Sequence, residues 1–389
     1  MTTQRLDHQE PRRRSFWAQV VGHAVWQGRS SVVLDQSAFY PESGGQLGDR
    51  GTLAGLPVHD VQVDEAGRVH HLVDVPPPLG ARVEGDIDWP RRRLHMALHT
   101  AQHLLSRALI EEGQAETVSA RLGDRGCTVD LDCAQLAEVR IARAEALVNQ
   151  VIEDDLEVRA YFPTPEVLAA LPLRRAPKVT HNIRVIEVPG FDVSPCGGTH
   201  VERTAEIGWL RVTGVEKDKG RVRINFDAGR RARDGWATEA AALSRLAARF
   251  TAGPLEVERA VERLAKDLDA AKLQLRQLMP LVARAKAQEL LAHPGPIVAM
   301  VDGDRELLRA LAGLLTADPG RVVVLGAPDQ GGSALLVARS EGLAFDCGAF
   351  LRSLAGRVGG KGGGRPDRAE GRLDHQDWIP SARSLLSEG

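Results

Sequence analysis

From Val257 onward the apolar residues Val257, Val261, Leu264, Leu268, Ala271, Leu275, Leu278 and Val282 recur at alternating spacings of four and three. This heptad seam commits the region to one long helix whose stripe must be covered, either by a second helix of the same chain or by a second chain in a coiled coil. Pro280 lies inside the pattern, so the helix is expected to kink or end there. Upstream of Trp236 the texture differs: short β-favouring runs alternate with isolated helical stretches, whereas Ala, Leu, Glu and Arg dominate after it. At roughly 150 residues per domain, 389 residues make two or three domains. With 43% hydrophobic and 26% charged residues the chain can bury ordinary cores, which excludes disordered, collagen-like and low-complexity classes.

Residues Ser15 to Asp88 hold strand-like runs at Ser31–Asp35, Val58–Val63 and Val69–Val75, with a turn at Glu65–Arg68, and suggest a small β-barrel. Its long loop from Ser37 to Gly51 joins aromatic residues to closely spaced glycines that let backbone approach a ligand; a barrel corner would read the same way. Asp88-Trp89-Pro90 is a helix start, with Asp as cap and Pro in the first turn. That helix is expected to run to about Glu112, before Gly113, on a buried stripe of Leu94, Leu98, Ala101, Leu105 and Ala108. Strand-like and helical pieces then alternate to Phe226, and a last unit from about Pro296 mixes strands with a helix near Arg305–Leu315. The class is α+β: a β-barrel subdomain over 1–90, a metal-binding α+β core over 91–235, a helical linker over 236–294 and a small α/β domain over 295–389.

Lys plus Arg number 50 against 52 Asp plus Glu, a net charge of −2, so any nucleic-acid surface must be local. Two stretches qualify: Arg91-Arg92-Arg93 at the base of the helix, and Arg352, Arg357, Lys361, Arg365, Arg368 and Arg372 among glycines near the end. A solvated face and a flexible loop are the plainer readings of each. The four cysteines include no CxxC pair, so reduced thiols in the cytoplasm are expected. No run of 18 apolar residues is present to span a membrane.

His99 and His103 sit four apart on the helix and project from one face, a metal-ligand spacing placed at the flank of the apolar stripe, where a cleft wall would be. Far downstream, Cys196-Gly197-Gly198-Thr199-His200 offers a thiolate and an imidazole across a tight Gly-Gly turn, and the four together match zinc. A closed, inert tetrahedral site is the competing account. Zinc-peptidase chemistry is dismissed because His99-Thr100-Ala101-Gln102-His103 has no glutamate to act as base. His95 is expected to be an exposed histidine, and Cys127 and Cys133 ordinary buried thiols.

Three motifs in order, Phe39 to Gly51, His99 to His103 and Cys196 to His200, resemble the editing domain of alanyl-tRNA synthetase and its free-standing relatives, the alanyl-tRNA editing hydrolases, over about residues 15 to 235. Gly359 to Asp367 resembles the glycine-rich motif of the synthetase's C-terminal domain, which extends the match to the long form of the editing protein. The resemblance implies zinc on His99, His103, Cys196 and His200, and hydrolysis in trans of tRNA(Ala) mischarged with serine or glycine, alanyl-tRNA being spared. The chain begins where the editing part of that family begins, so it is expected not to charge tRNA. A pocket shaped for alanine cannot reject an added hydroxyl, whereas a site that hydrogen-bonds serine can discriminate; Ser43, with Gln46, is the candidate for that contact. Zinc would orient the ester or polarise the attacking water, and no carboxylate stands out as base. A glutamine that some synthetase editing domains place after the zinc helix has no counterpart in Val118-Ser119-Ala120-Arg121. Arg91, Arg92, Arg93, Lys361, Arg365 and Arg368 are the expected tRNA contacts, and a homodimer through the linker or the last domain is expected. The rival reading is a non-catalytic tRNA-binding protein with a structural zinc. A phosphoesterase lacks its acidic metal cluster.

Overall fold

Alternation of buried and exposed residues organises the first part of the chain. In the computed structural model, which describes residues 2–177, 179–292 and 295–388, the chain divides into two units, Met1–Arg245 and Leu246–Gly389. In the first unit, strand β1 (Ser15–Trp26) buries Phe16, Ala18 and Val20 and exposes the residues between them, the period of two that a half-buried strand requires. It is followed by β2 (Arg29–Leu34), β3 (Gly51–Leu53), β4 (Leu56–Val58), β5 (Asp60–Val63), β6 (Val69–Leu72) and β7 (Arg82–Ile87). These pair antiparallel in the order β4-β3-β7-β1-β2-β6-β5. One long strand serves two halves: β1 pairs with β7 from Ser15 to Gln19 and with β2 from Val20 to Trp26, with a register shift between Val20 and Gly22 in the second pairing. Where the sequence suggests a barrel, the end strands β4 and β5 are not paired with each other among the described residues. Only His59 separates them, too short a link for a hairpin. Phe16, Leu34, Phe39, Leu53, Val61, Val69 and Val83 form the core of this sheet.

Helix α1 (Trp89–Gly113) begins as expected: the Asp88 carboxylate accepts a hydrogen bond from Arg91 N at 3.1 Å, and Pro90 occupies the first turn. It runs through Gly113 and ends at Gln114, which takes the left-handed conformation with φ 53°. Gly113 is glycine for another reason, since a Cβ there would come within 2.9 Å of Leu136. Strands β8 (Thr117–Leu122) and β9 (Cys127–Leu131), helix α2 (Glu138–Glu153), and strands β10 (Arg159–Tyr161), β11 (Val185–Val188), β12 (Asp192–Pro195), β13 (Leu210–Asp218) and β14 (Arg221–Ala228) follow. They make two antiparallel sheets, β8-β9-β14-β13 and β10-β11-β12, whose side chains join Leu98, Leu104, Leu105 and Leu109 in one core. With neighbours on every side, each residue of α1 from His95 to Ser106 is buried. This corrects two expectations: the histidines are not on a half-exposed flank, and His95 is 2% exposed. Helix α3 (Gly229–Arg249) comes next, and the division between the units falls within it.

The second unit comprises α4 (Val257–Leu291), β15 (Ile297–Met300), α5 (Arg305–Leu315), β16 (Val322–Asp329), β17 (Gly332–Arg339), α6 (Cys347–Val358), β18 (Gly360–Gly364), β19 (Arg368–Leu373) and α7 (Ile379–Glu388). The sheet order is β15-β16-β17-β19-β18, parallel only between β15 and β16, which the α5 crossover connects. Its two faces separate by alternation: Val323, Leu325 and Leu336 pack with Leu307 and Leu311, while Val324, Leu335 and Val337 pack with Leu351 and Trp378. Of the expected kink or end, the end does not occur: α4 continues through Pro280. It lies on an exposed face, where water can satisfy the carbonyl a proline leaves without an N–H partner. The glycine-rich stretch is the edge strand β18, not a loop: a Cβ at Gly362 would come within 2.7 Å of Leu351, and one at Gly364 within 2.5 Å of Ala369. These glycines serve the close approach of α6 and β19.

Candidate metal centre

Four donors converge where α1 meets the loop after β12. Helical spacing stacks His99 above His103 on one face, and the turn Cys196-Gly197-Gly198-Thr199-His200 brings Cys196 and His200 opposite them. One ligand atom from each of the four residues lies within 4.8 Å of all the others. The Cys196 Sγ is 3.4 Å from His99 Nε2 and 3.4 Å from His200 Nε2. Bonds of roughly 2.0–2.3 Å to a single tetrahedral ion would separate neighbouring donors by roughly 3.3–3.6 Å, so the spacing suits one. Gly198 is required here, because a Cβ on it would fall 2.1 Å from the His99 ring. His103 Nε2 is buried with no hydrogen-bond partner among the described residues, a loss of about 1–3 kcal/mol that a coordinated ion would remove. The cluster can hold a metal ion.

Each imidazole also has a polar neighbour on its outer side, a hydrogen-bond partner for His99 and His200 and a carboxylate at ion-pair distance for His103. His99 Nδ1 lies 2.7 Å from Gln46 Oε1, His200 Nδ1 lies 3.2 Å from Thr100 Oγ1, and His103 Nδ1 lies 3.5 Å from Asp192 Oδ2. Such partners choose which ring nitrogen faces the ion and fix ring orientation. Gln46 is in turn locked: its Nε2 donates to Thr199 Oγ1 at 2.8 Å and its Oε1 accepts from Thr199 N at 3.2 Å. Asp192 is anchored by Arg174 Nε at 2.7 Å.

Burial would push the Cys196 thiol up, but the imidazoles of His99, His103 and His200 outweigh it and hold it well below the usual thiol range. Burial pushes His99 and His200 down, the latter strongly. His103 is burdened by burial too, but Cys196 and Asp192 leave it raised. A metal ion requires a thiolate and neutral imidazoles, the direction in which Cys196, His99 and His200 are shifted.

A cleft of about 260 Å³ opens beside the cluster, lined by His8, Tyr40, Ser43, Arg184, Cys196 and Gly197. Ser43 faces it; Gln46 does not, being fully buried with its amide committed to His99 and Thr199. The Arg91-Arg92-Arg93 run splits three ways. Arg92 is fully buried in an ion pair with Asp49 and donates to the carbonyls of Ala38 and Pro11, which corrects its expected role at RNA. Arg91 is mostly covered, bonded to Gly48 O at 3.2 Å and Asp124 at 2.5 Å, and Arg93 is exposed. In the second unit Lys361, Arg365 and Arg368 are all exposed, Arg368 lying 3.2 Å from Glu370. Sequence reasoning missed Thr100, Asp192, His8 and Arg184. His8 Nε2 lies 3.1 Å from Gly197 O, and Arg184 Nη1 donates to Cys196 O at 3.2 Å and Gly198 O at 2.7 Å. Three successive carbonyls of the metal loop are thereby tied down. Nothing in the local pattern marks a lone histidine near the start or one arginine among many.

Residues 183–225 match the threonyl and alanyl tRNA synthetase second additional domain, and residues 295–388 match the DHHA1 domain. The chain is 28% identical over 395 residues to the alanyl-tRNA editing protein AlaX-L of Pyrococcus horikoshii, covering 95% of both. It is 33% identical over 400 residues to the alanine–tRNA ligase of Halorubrum lacusprofundi, covering 98% of this chain and 43% of the ligase. The ligase of Natronomonas pharaonis gives 33% over 419 residues, 99% of this chain and 44% of its own. The chain thus spans less than half the length of these ligases. It is a homologue of the alanyl-tRNA editing protein and of the corresponding part of the alanine–tRNA ligases. The solved C-Ala domain of Aquifex aeolicus alanyl-tRNA synthetase shares 26% identity over 24% of this chain and 86% of its own, at a TM-score of 0.22, too low to carry a structural argument.

Proposed function

We propose that this protein is a zinc-dependent hydrolase that removes serine, and glycine as a second cargo, from mischarged tRNA(Ala) in trans. The observation that carries the reading is the arrangement of His99, His103 and His200, three rings converging on Cys196, with Gln46 and Thr100 hydrogen-bonded to the outer nitrogens of His99 and His200 and Asp192 near that of His103. The name and coverage of the editing homologue support the tRNA ester as substrate. Zinc, when bound, supplies Lewis-acid charge near the ester carbonyl and the attacking water.

The chain's own residues do the rest. Ser43 lines the cleft and accepts or donates a hydrogen bond to the serine hydroxyl, a contact alanine leaves unmade. Gln46 positions His99. Arg184 and His8 fix the metal loop and place positive charge and a neutral imidazole at the mouth, burial pushing His8 down to about 4. An aminoacyl ester is labile enough that positioning and charge stabilisation suffice. Arg93, Lys361, Arg365 and Arg368 contact tRNA, and a second chain covers the exposed α4 seam in a homodimer.

Deacylation of seryl-tRNA(Ala), alanyl-tRNA(Ala) and seryl-tRNA(Thr) by the zinc-loaded protein tests this reading, with Cys196→Ala as control. Loss of serine from tRNA(Ala) alone, reduced on the order of 10³-fold in the variant, is expected. No turnover above the variant, or a variant that unfolds while wild type merely binds tRNA, would leave a zinc-stabilised binding protein.

A further inference from the structure

A second cleft, of about 660 Å³, lies on the other side of α1 and takes no part in the metal centre. Pro90 and Leu94 line it, and at 3.6 residues per turn they stand half a turn away from His99 and His103. Its walls carry two half-buried indoles, Trp89 and Trp209, and three exposed guanidinium groups, Arg93, Arg230 and Arg233. A fourth, Arg14, stacks over the Trp89 ring at 4.8 Å from its centroid. The backbone shapes the cleft: Gly229, at φ 63°, opens α3 and donates its N–H to Trp209 O at 2.8 Å.

What marks this cleft is several weakly compensated arginines gathered beside two indoles. The chain is nearly neutral, and many of its arginines are answered by nearby carboxylates, as Arg12 is by Glu202 and Glu206, or Arg309 by Glu370, while others stand alone. Arg14, Arg93 and Arg230 have no carboxylate within ion-pair distance among the described residues. Arg233 has only Asp234, at 3.5 Å. The one acidic wall residue, Glu206, is already engaged by Arg12 at 3.0 Å. A patch of like charge left uncompensated beside two flat aromatic faces complements phosphates spaced along a strand with ribose or base between them.

We infer that this cleft binds the RNA backbone of the substrate, its arginines on phosphates and the Trp209 face against a ribose or unpaired base. The inference rests on the RNA-ester reading above and adds to it a docking site separate from the one where the ester is cleaved. Affinity for the RNA body and chemistry at the ester are then divided between opposite faces of one helix.

The test is binding of uncharged tRNA(Ala) transcript to the full-length, zinc-loaded protein across a salt series, for wild type, Arg230→Glu, Arg93→Glu/Arg230→Glu, Trp209→Ala and Trp209→Phe. Melting temperature and zinc content serve as fold controls. The double reversal is expected to weaken binding at least tenfold and to flatten the salt slope by about two contacts. Trp209→Ala weakens binding about tenfold with the salt slope kept, and Trp209→Phe restores most of it, because stacking needs a ring and carries no charge. Wild-type affinity and slope in the folded arginine and tryptophan variants overturn the cleft and leave the editing reading intact. A wild-type protein that neither binds the transcript nor deacylates seryl-tRNA(Ala) overturns both.

Discussion

Helices α1 and α4 reverse each other's expected burial. In α1 the polar side chains of Arg92, His95, His99, Thr100, Gln102, His103 and Ser106 are buried. In α4 the apolar side chains of Val261, Leu264, Leu268, Leu275, Leu278 and Val282 are about half exposed, and only Val257, Ala283 and Ala287 are buried. Burying polar groups is costly unless each is answered, so a helix that does it systematically is built around a function. Leaving an apolar seam in water is costly unless something covers it, which is the ground for the proposed dimer. The polar groups of α1 thus find their partners within the chain, whereas most of the apolar seam of α4 stays exposed.

The largest effect should come from Arg92, whose charge has no exit to solvent. Arg92→Met leaves the Asp49 carboxylate buried and unpaired and should destabilise the first unit by about 3–5 kcal/mol, read by denaturant unfolding. A loss below about 1 kcal/mol would mean that the buried polar groups of α1 are not what holds it in place. Next comes acid. Burial pushes His71 down to about 4, where its Nδ1 faces Val32 O and Ser37 donates to its Nε2. The unfolded chain protonates this ring near its ordinary value of about 6.5, the folded chain only near 4, so stability is complete above the first value and is lost as pH falls towards the second. The loss reaches up to about 3 kcal/mol, and His71→Gln should flatten it.

Gln46→Ala removes the partner of His99 Nδ1 and should weaken zinc binding about 10–100-fold in a chelator competition, with the fold retained. Unchanged zinc affinity would make Gln46 a packing residue, and a change in serine-against-alanine selectivity without loss of zinc would return it to substrate recognition. The smallest effect on stability belongs to α4. Leu268→Glu, at 51% exposure, should shift the unfolding free energy of the chain's monomeric form by no more than about 0.5 kcal/mol. Yet it should move the mass in solution from dimer to monomer, and an unaltered mass would show that the seam does not join two chains.

Much of this contrast was readable from residue order where the signal is local. Asp88 and Pro90 announce the start of α1, His99 and His103 share a face by helical spacing, and Cys196 to His200 announces a tight ligand turn. The heptad seam announces α4 as well, but not its cover, since a seam reads the same in cis or between chains. Partnerships made across the fold were invisible. Arg92 looks like one of three surface cations until Asp49 meets it, and Gln46 looks like a loop amide until Thr199 and His99 claim it. Thr100 and Asp192 are unremarkable residue types whose role exists only once the imidazoles are placed. The glycines of β18 read as a flexible loop or a nucleic-acid surface because glycine reports close approach without saying what approaches.

The most direct test of the central claim is to strip the protein of metal, restore zinc stepwise, and follow seryl-tRNA(Ala) hydrolysis against bound zinc per chain. The account predicts one ion per chain, lost in Cys196→Ala, and activity that returns in proportion to occupancy. A folded, metal-free protein that hydrolyses the ester as fast as the loaded one would contradict it.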